Sequence, residues 1–168
     1  LFPEYFNAPL MAKFNHLGEA QSIRGLAQYT EEIRERFVNL AISYNINIIT
    51  GSMPLLKEDG ALYNVGYLIR RDGSYEMYEK VHVTPDEQKS WGLSGGKMVK
   101  TFDTDCARIG VLICYDVEFP ELSRIMADQG MQILFVPFLT DTQNGYSRVR
   151  VCAQARAIEN ECFVVIAG

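Results

Sequence analysis

The feature that most constrains the fold is an amphipathic stretch followed at once by an almost wholly apolar one. Over Thr30–Tyr44, the residues Ile33, Phe37, Leu40, Ala41 and Tyr44 recur at helical spacing, so one face is apolar. Thr30 is the expected N-cap, Glu31 and Glu32 suit the positive end of the helix dipole, and Asn45 is the expected stop. A strand is expected over 46–52, in the run Ile46-Asn47-Ile48-Ile49 and onward. Helix into buried strand is the unit of an α/β fold. The pattern returns later, with strands at 100–102 and 107–114, a helix over 119–130, a strand at 132–137, a helix over 146–160 and a strand over 161–167. Pro120 fits the first turn of its helix and Gly130 its end. Between the two blocks, runs at 62–70 and 74–81 flank Arg71-Asp72-Gly73, a hairpin signal. The segment 85–97, with Gly92, Gly95 and Gly96, reads as a surface loop. No linker or second domain is evident, so residues 1–168 are read as one unit.

Composition removes several classes. With 48% hydrophobic and 22% charged residues, the chain has the make-up of a globular protein rather than a disordered one. A net charge of -5 argues against nucleic acid as a partner. No uncharged apolar run approaches the ~20 residues of a membrane span, so no membrane partner is expected. The cysteines at 106, 114, 152 and 162 form no C-x-x-C pair and have no His close in sequence, which argues against a metal site. Four are too sparse for a disulfide scaffold, so a cytoplasmic location is expected. The chain opens on Leu1-Phe2-Pro3-Glu4 and closes on Val164-Val165-Ile166-Ala167-Gly168, and both ends read like the middle of a protein.

Three residues stand where chemistry is plausible. Cys114 ends the apolar strand Ile109-Gly110-Val111-Leu112-Ile113, and in open α/β sheets sites collect at the carboxyl ends of strands. There it can meet backbone N–H groups that favour thiolate. Lys80 closes a hairpin strand, where a solvated edge lysine is the ordinary expectation. Glu4 is flanked by Phe2, Pro3, Tyr5 and Phe6, so it should be desolvated and a better base near neutrality. A Cys–His thiol hydrolase using His82 or His16 is an alternative, because His82 lies two residues from Lys80 and would share its face of a strand.

Taken in order, Phe2-Pro3-Glu4, then Glu79-Lys80-Val81-His82, then Gly110 to Glu121 (Gly-Val-Leu-Ile-Cys-Tyr-Asp-Val-Glu-Phe-Pro-Glu), the chain resembles the carbon–nitrogen hydrolase, or nitrilase, superfamily. The segment Ala155-Arg156-Ala157-Ile158-Glu159-Asn160 is similar to that family too, and Arg156, Glu159 and Asn160 are read as structural. The resemblance implies an α–β–β–α sandwich, incomplete at both ends here, since family domains are longer. It implies hydrolysis of a small amide, rather than a nitrile or N-carbamoyl compound, through a thioester. Cys114 would be the nucleophile, Glu4 the base and Lys80 the oxyanion stabiliser, with the Tyr115 N–H as second donor. Lys80 would also lower the Cys114 pKa, so that Cys114 would be alkylated ahead of the other cysteines. Glu87, with Asp86 as competitor, would orient Lys80, and Asp116 would brace the turn after the nucleophile. Tyr5, His82, Phe138, Thr140 and Tyr146 are candidate pocket residues. The helix from Tyr146 departs from the family, where a Trp is frequent, which leaves the substrate open. The resemblance implies no metal or cofactor, and water and a small-molecule amide as the reacting partners. It also implies a homodimer or higher homo-oligomer formed through the helices at Pro120 and Tyr146. A catalytically silent interaction domain is the remaining alternative.

Overall fold

A computed structural model describes residues Leu1–Gly168. It holds two sheets faced by helices on their outer sides. After a 3₁₀ segment, Ala8–Phe14, come α1 (Glu19–Ala27) and α2 (Thr30–Tyr44). The first sheet contains β1 (Ile48–Ile49), β2 (Met53–Leu56), β3 (Leu62–Ile69), β4 (Tyr75–Glu79) and β5 (Leu93–Ser94). The second contains β6 (Thr101–Asp103), β7 (Arg108–Val111), β8 (Ile133–Pro137) and β9 (Phe163–Ala167), with α3 (Pro120–Asp128) and α4 (Gln143–Asn160) as its crossovers.

β3 is the axis of the first sheet. β1 and β2 pair antiparallel along one edge, at Ile48↔Ile69 and Met53↔Val65. β4 pairs antiparallel on the other, at Val65↔Glu79, and β5 adds a short parallel pair. Strand alternation sends Val65, Tyr67 and Ile69 against Phe37 and Ala41 of α2. Leu68, on the opposite face, joins Tyr78 in the core shared with Ile109, Val111, Leu134 and Val136 of the second sheet. That sheet runs β6-β7-β8-β9, antiparallel at β6–β7 and parallel thereafter. Leu122 and Met126 of α3 and Val149 and Ala153 of α4 complete its core, while α1 packs Ile23 and Leu26 near Leu62 and Leu93. The α–β–β–α layering expected from the resemblance is therefore present.

Several boundaries differ from expectation. Thr30 begins α2 but does not cap it; its hydroxyl donates to the Pro54 carbonyl at 2.7 Å and ties the helix to the sheet. Asn45 does end the helix, in the left-handed conformation. The strand expected over 46–52 is only two residues long, because the chain turns at Gly51 (φ +68°). A Cβ there would lie 1.9 Å from the Pro3 carbonyl oxygen, so only glycine allows the segment bearing Glu4 to pass this close. α4 starts three residues earlier than expected, and Thr142 caps it by accepting from the Gly145 N–H at 3.1 Å. Within 85–97 there is a π-type turn, Glu87–Trp91. The hairpin at 70–74 forms as expected, with Gly73 at φ +86°.

Candidate active site

The site lies between the sheets, and each element delivers one group. On β3, alternation that turns Val65 toward α2 turns Asn64 inward. On the hairpin partner, Tyr78 points into the inter-sheet core, and Lys80, two residues on, follows it inward just past the end of β4. Lys80 is only 1% exposed, the opposite of the solvated edge lysine its position suggests.

Its ammonium contacts the Glu4 Oε1 at 2.8 Å and both Glu87 oxygens at 2.9 and 2.8 Å. Glu4, 3% exposed, also accepts from Asn64 Nδ2 at 2.9 Å and, on Oε2, from the Leu139 N–H at 3.0 Å. Glu87 accepts from the Tyr5 hydroxyl at 3.1 Å and the Thr84 N–H at 2.7 Å. Glu87 rather than Asp86 is thus the carboxylate on Lys80; Asp86 is exposed at the cavity mouth.

Cys114 enters from the second sheet. It follows the end of β7, opens a 3₁₀ turn (Cys114–Glu118), and is held at φ +49°, a left-handed conformation that is unusual for a residue with a Cβ. Tyr5, beside Glu4, is left-handed too, at φ +48°. Such strain persists only where the surroundings over-determine it, and it gathers at functional sites. The Cys114 thiol is 3.7 Å from the Leu139 carbonyl oxygen. Leu139 therefore binds Glu4 through its N–H and Cys114 through its carbonyl. The Tyr115 N–H has no acceptor within the chain.

The titrations follow from this enclosure. Burial pushes the Glu4 carboxyl up, against the pull of the Lys80 charge. Burial alone would lower Lys80, but the Glu4 and Glu87 carboxylates outweigh it and keep the ammonium charged. For Cys114, burial and the Glu4 charge push the pKa up, and the opposing Lys80 charge does not reverse that. This direction is opposite to the lowered pKa that the resemblance implies. Cys106 is exposed, and Cys152 and Cys162 are half-buried.

Asp116 is buried and spans the two sheets. It accepts from the N–H groups of Val81 (3.2 Å) and His82 (2.7 Å) on one side and of Ile113 (3.3 Å) on the other. Burial raises its pKa to about 6 despite these bonds. The brace thus joins the Lys80 segment to the turn that opens at Cys114.

A cavity of about 590 Å³ opens over Glu4, Lys80 and Cys114, with Tyr5, Tyr115 and Thr140 in its walls as expected. His82 is not among them. It lies beyond the end of β4, so the shared-face argument fails; its ring stacks on Phe119 at 3.7 Å and its Nδ1 faces Asp116. His16 is exposed, and neither histidine lines the cavity. Phe138 belongs to the core and, with Tyr146, lines a shallower neighbouring depression. Arg156 is structural, donating to the Val117 and Glu118 carbonyls, while Asn160 reaches Ser123. Asn64, Leu139 and Trp91 were missed by the sequence reading; only Asn64, a lone amide inside an apolar strand, gave a signal. No cluster of His, Cys, Asp or Glu side chains is arranged to hold a metal ion. No helix is long and apolar enough to cross a membrane.

An α–β–β–α sandwich with a Glu–Lys–Cys cluster between its sheets defines a class, and the comparisons agree on it. The model of the carbon-nitrogen hydrolase family matches residues 1–168, and the chain belongs to that family. It is 48% identical over 168 residues to a probable hydrolase, YhcX, of Bacillus subtilis (strain 168), covering 100% of this chain and 33% of that protein. It is 33% identical over 179 residues to the omega-amidase NIT2 of Homo sapiens, covering 99% of this chain and 60% of that one. Among solved structures, Saccharomyces cerevisiae Nit3, a member of branch 10 of the nitrilase superfamily, superposes with a TM-score of 0.83 at 28% identity, covering 98% of this chain and 59% of that one. The chain thus spans between a third and three fifths of the length of these relatives.

Proposed function

We propose that the protein hydrolyses a small amide, with Cys114 as nucleophile, Glu4 as proton carrier and Lys80 as electrostatic support. The observation that carries this reading is a buried thiol and a buried carboxyl held by one peptide, Glu4 by the Leu139 N–H and Cys114 by the Leu139 carbonyl. A thiol with a raised pKa cannot attack unaided, and Glu4 stands where it can take the proton as the sulfur bonds to the amide carbon. The oxyanion that forms meets the Tyr115 N–H and Lys80, which gives up one of its two bonds to Glu87 for the purpose. Collapse expels ammonia or an amine carrying the Glu4 proton and leaves a thioester on Cys114. Glu4 then deprotonates water, which attacks the thioester, releases the carboxylic acid and restores the thiol. Glu87 acts as a positioning residue, fixing Lys80 while held by Tyr5 and Thr84.

Amidase relatives favour an amide over a nitrile or N-carbamoyl substrate. The test is ammonia release over a panel of small amides, ureas and nitriles: turnover confined to amides supports the reading, and turnover of nitriles alone overturns it. The reading includes self-association through the outward side of α3 and α4, where Ile125, Val151 and Ile158 are exposed. Light scattering tests that part, a dimer or larger assembly being expected and a monomer contradicting it.

A further inference from the structure

The cavity has a charge as well as a shape. Its walls carry the carboxylates of Glu4, Asp86, Glu87, Glu118 and Asp141 against the cations Lys80 and Arg148. Lys80 is enclosed by Glu4 and Glu87, two carboxylates against its one positive charge. Arg148 is engaged by Glu118, Nε to Oε1 at 3.3 Å. Asp86 and Asp141 pair with no cation, and both are exposed at the mouth. A second kind of wall accompanies them: the rings of Tyr5, Trp91 and Tyr115 line the same cavity, Tyr5 and Trp91 meeting edge-to-face at 5.5 Å. Carboxylates with aromatic faces are the surroundings that recognise an organic ammonium. The same surroundings repel a carboxylate, since like charges brought together cost affinity.

Building on the amidase reading above, we infer that the preferred substrate is a cationic amide. Its ammonium or guanidinium end lies toward Asp86 and Asp141 while its carboxamide lies over Cys114. Neutral amides are accepted less well, and amides ending in a carboxylate are disfavoured.

A matched series tests this on the full-length protein: δ-aminovaleramide, hexanamide and adipamate, which carry a positive, neutral and negative end on one chain length. The expected order of kcat/KM is cation over neutral over anion, with the cation about tenfold or more above the anion at low ionic strength and the gap closing as salt is added. Equal values, or the reverse order, overturn the inference while leaving amide hydrolysis intact. Asp86→Asn with Asp141→Asn should narrow the cation-to-anion ratio; an unchanged ratio removes these two carboxylates from the assignment. A binding readout stands apart from turnover. Pentylammonium should slow iodoacetamide alkylation of Cys114, read by peptide mass spectrometry, more than hexanoate does. If none of the amides releases ammonia, the amidase reading fails by itself, and the protection experiment decides the charge preference. Equal protection, or stronger protection by hexanoate, overturns it.

Discussion

The two sheets contribute unlike halves of the site. The first sheet supplies charges that satisfy one another: Lys80 has three carboxylate contacts, and Glu4 and Glu87 each have further donors. The second sheet supplies one thiol on a strained residue, held by a 3.7 Å contact with a backbone carbonyl. One half is fixed and the other is poised. In the proposed mechanism Cys114 becomes reactive only when the second sheet sets it against the first, so the inter-sheet links at Leu139 and Asp116 matter as much as the charged groups.

Removing the poised half should have the largest effect. Cys114→Ala is expected to cut amide turnover by about a millionfold, to background, with little change in melting temperature. Glu4→Gln keeps the shape but removes proton transfer, and should cost on the order of 10²–10⁴-fold in kcat/KM. It should also slow iodoacetamide alkylation of Cys114 while leaving the exposed Cys106 unchanged. Lys80→Ala breaks the fixed half. Turnover should fall about 10²–10³-fold, and denaturant unfolding should show a loss of roughly 3–5 kcal/mol as buried carboxylates lose their cation.

The link between the halves gives a pH signature. The Asp116 pKa in the folded protein is about 6, above its ordinary value of 3.8. A raised carboxyl pKa means the folded state binds the proton more tightly than the unfolded state does. Its contribution to stability is therefore full below the ordinary value and is lost as pH rises through about 6. The stability of the wild type relative to Asp116→Asn should fall between those limits by roughly 2–3 kcal/mol. On the rate side, protonation weakens the acceptor that holds Val81, His82 and Ile113, so the wild-type kcat/KM should drop below about pH 6, and Asp116→Asn should lack that part of the acid limb. The smallest change is expected at His82→Asn, under about tenfold, since its ring braces Phe119 and Asp116 outside the cavity.

Much of this could be read in the chain. The order of elements followed from apolar periodicity, and the motifs around Glu4, Lys80 and Cys114 pointed to residues that the fold gathers into one cavity. What could not be read depends on distant packing. α1 was missed because Gly25 interrupts it and Gly18 gives no side-chain cap; Gly25 is small there because the Phe14 ring lies against it. The strand near Ile48 stops early because the Pro3 carbonyl crosses Gly51, a contact between segments nearly fifty residues apart. The upward push of burial on the Cys114 thiol could not be read, because a nearby cation was visible in the motif whereas the depth of burial was not. His82 was misplaced because the strand was taken to run past Lys80, when it ends at Glu79.

In the proposed mechanism a covalent intermediate forms where the two halves meet. Rapid quenching of the protein with a slowly hydrolysed amide, followed by peptide mass spectrometry, tests it directly. The predicted result is an acyl adduct confined to the peptide carrying Cys114, formed in the wild type and strongly diminished in Glu4→Gln. Turnover with no adduct on Cys114, or an adduct on Cys106, Cys152 or Cys162 instead, would contradict the account.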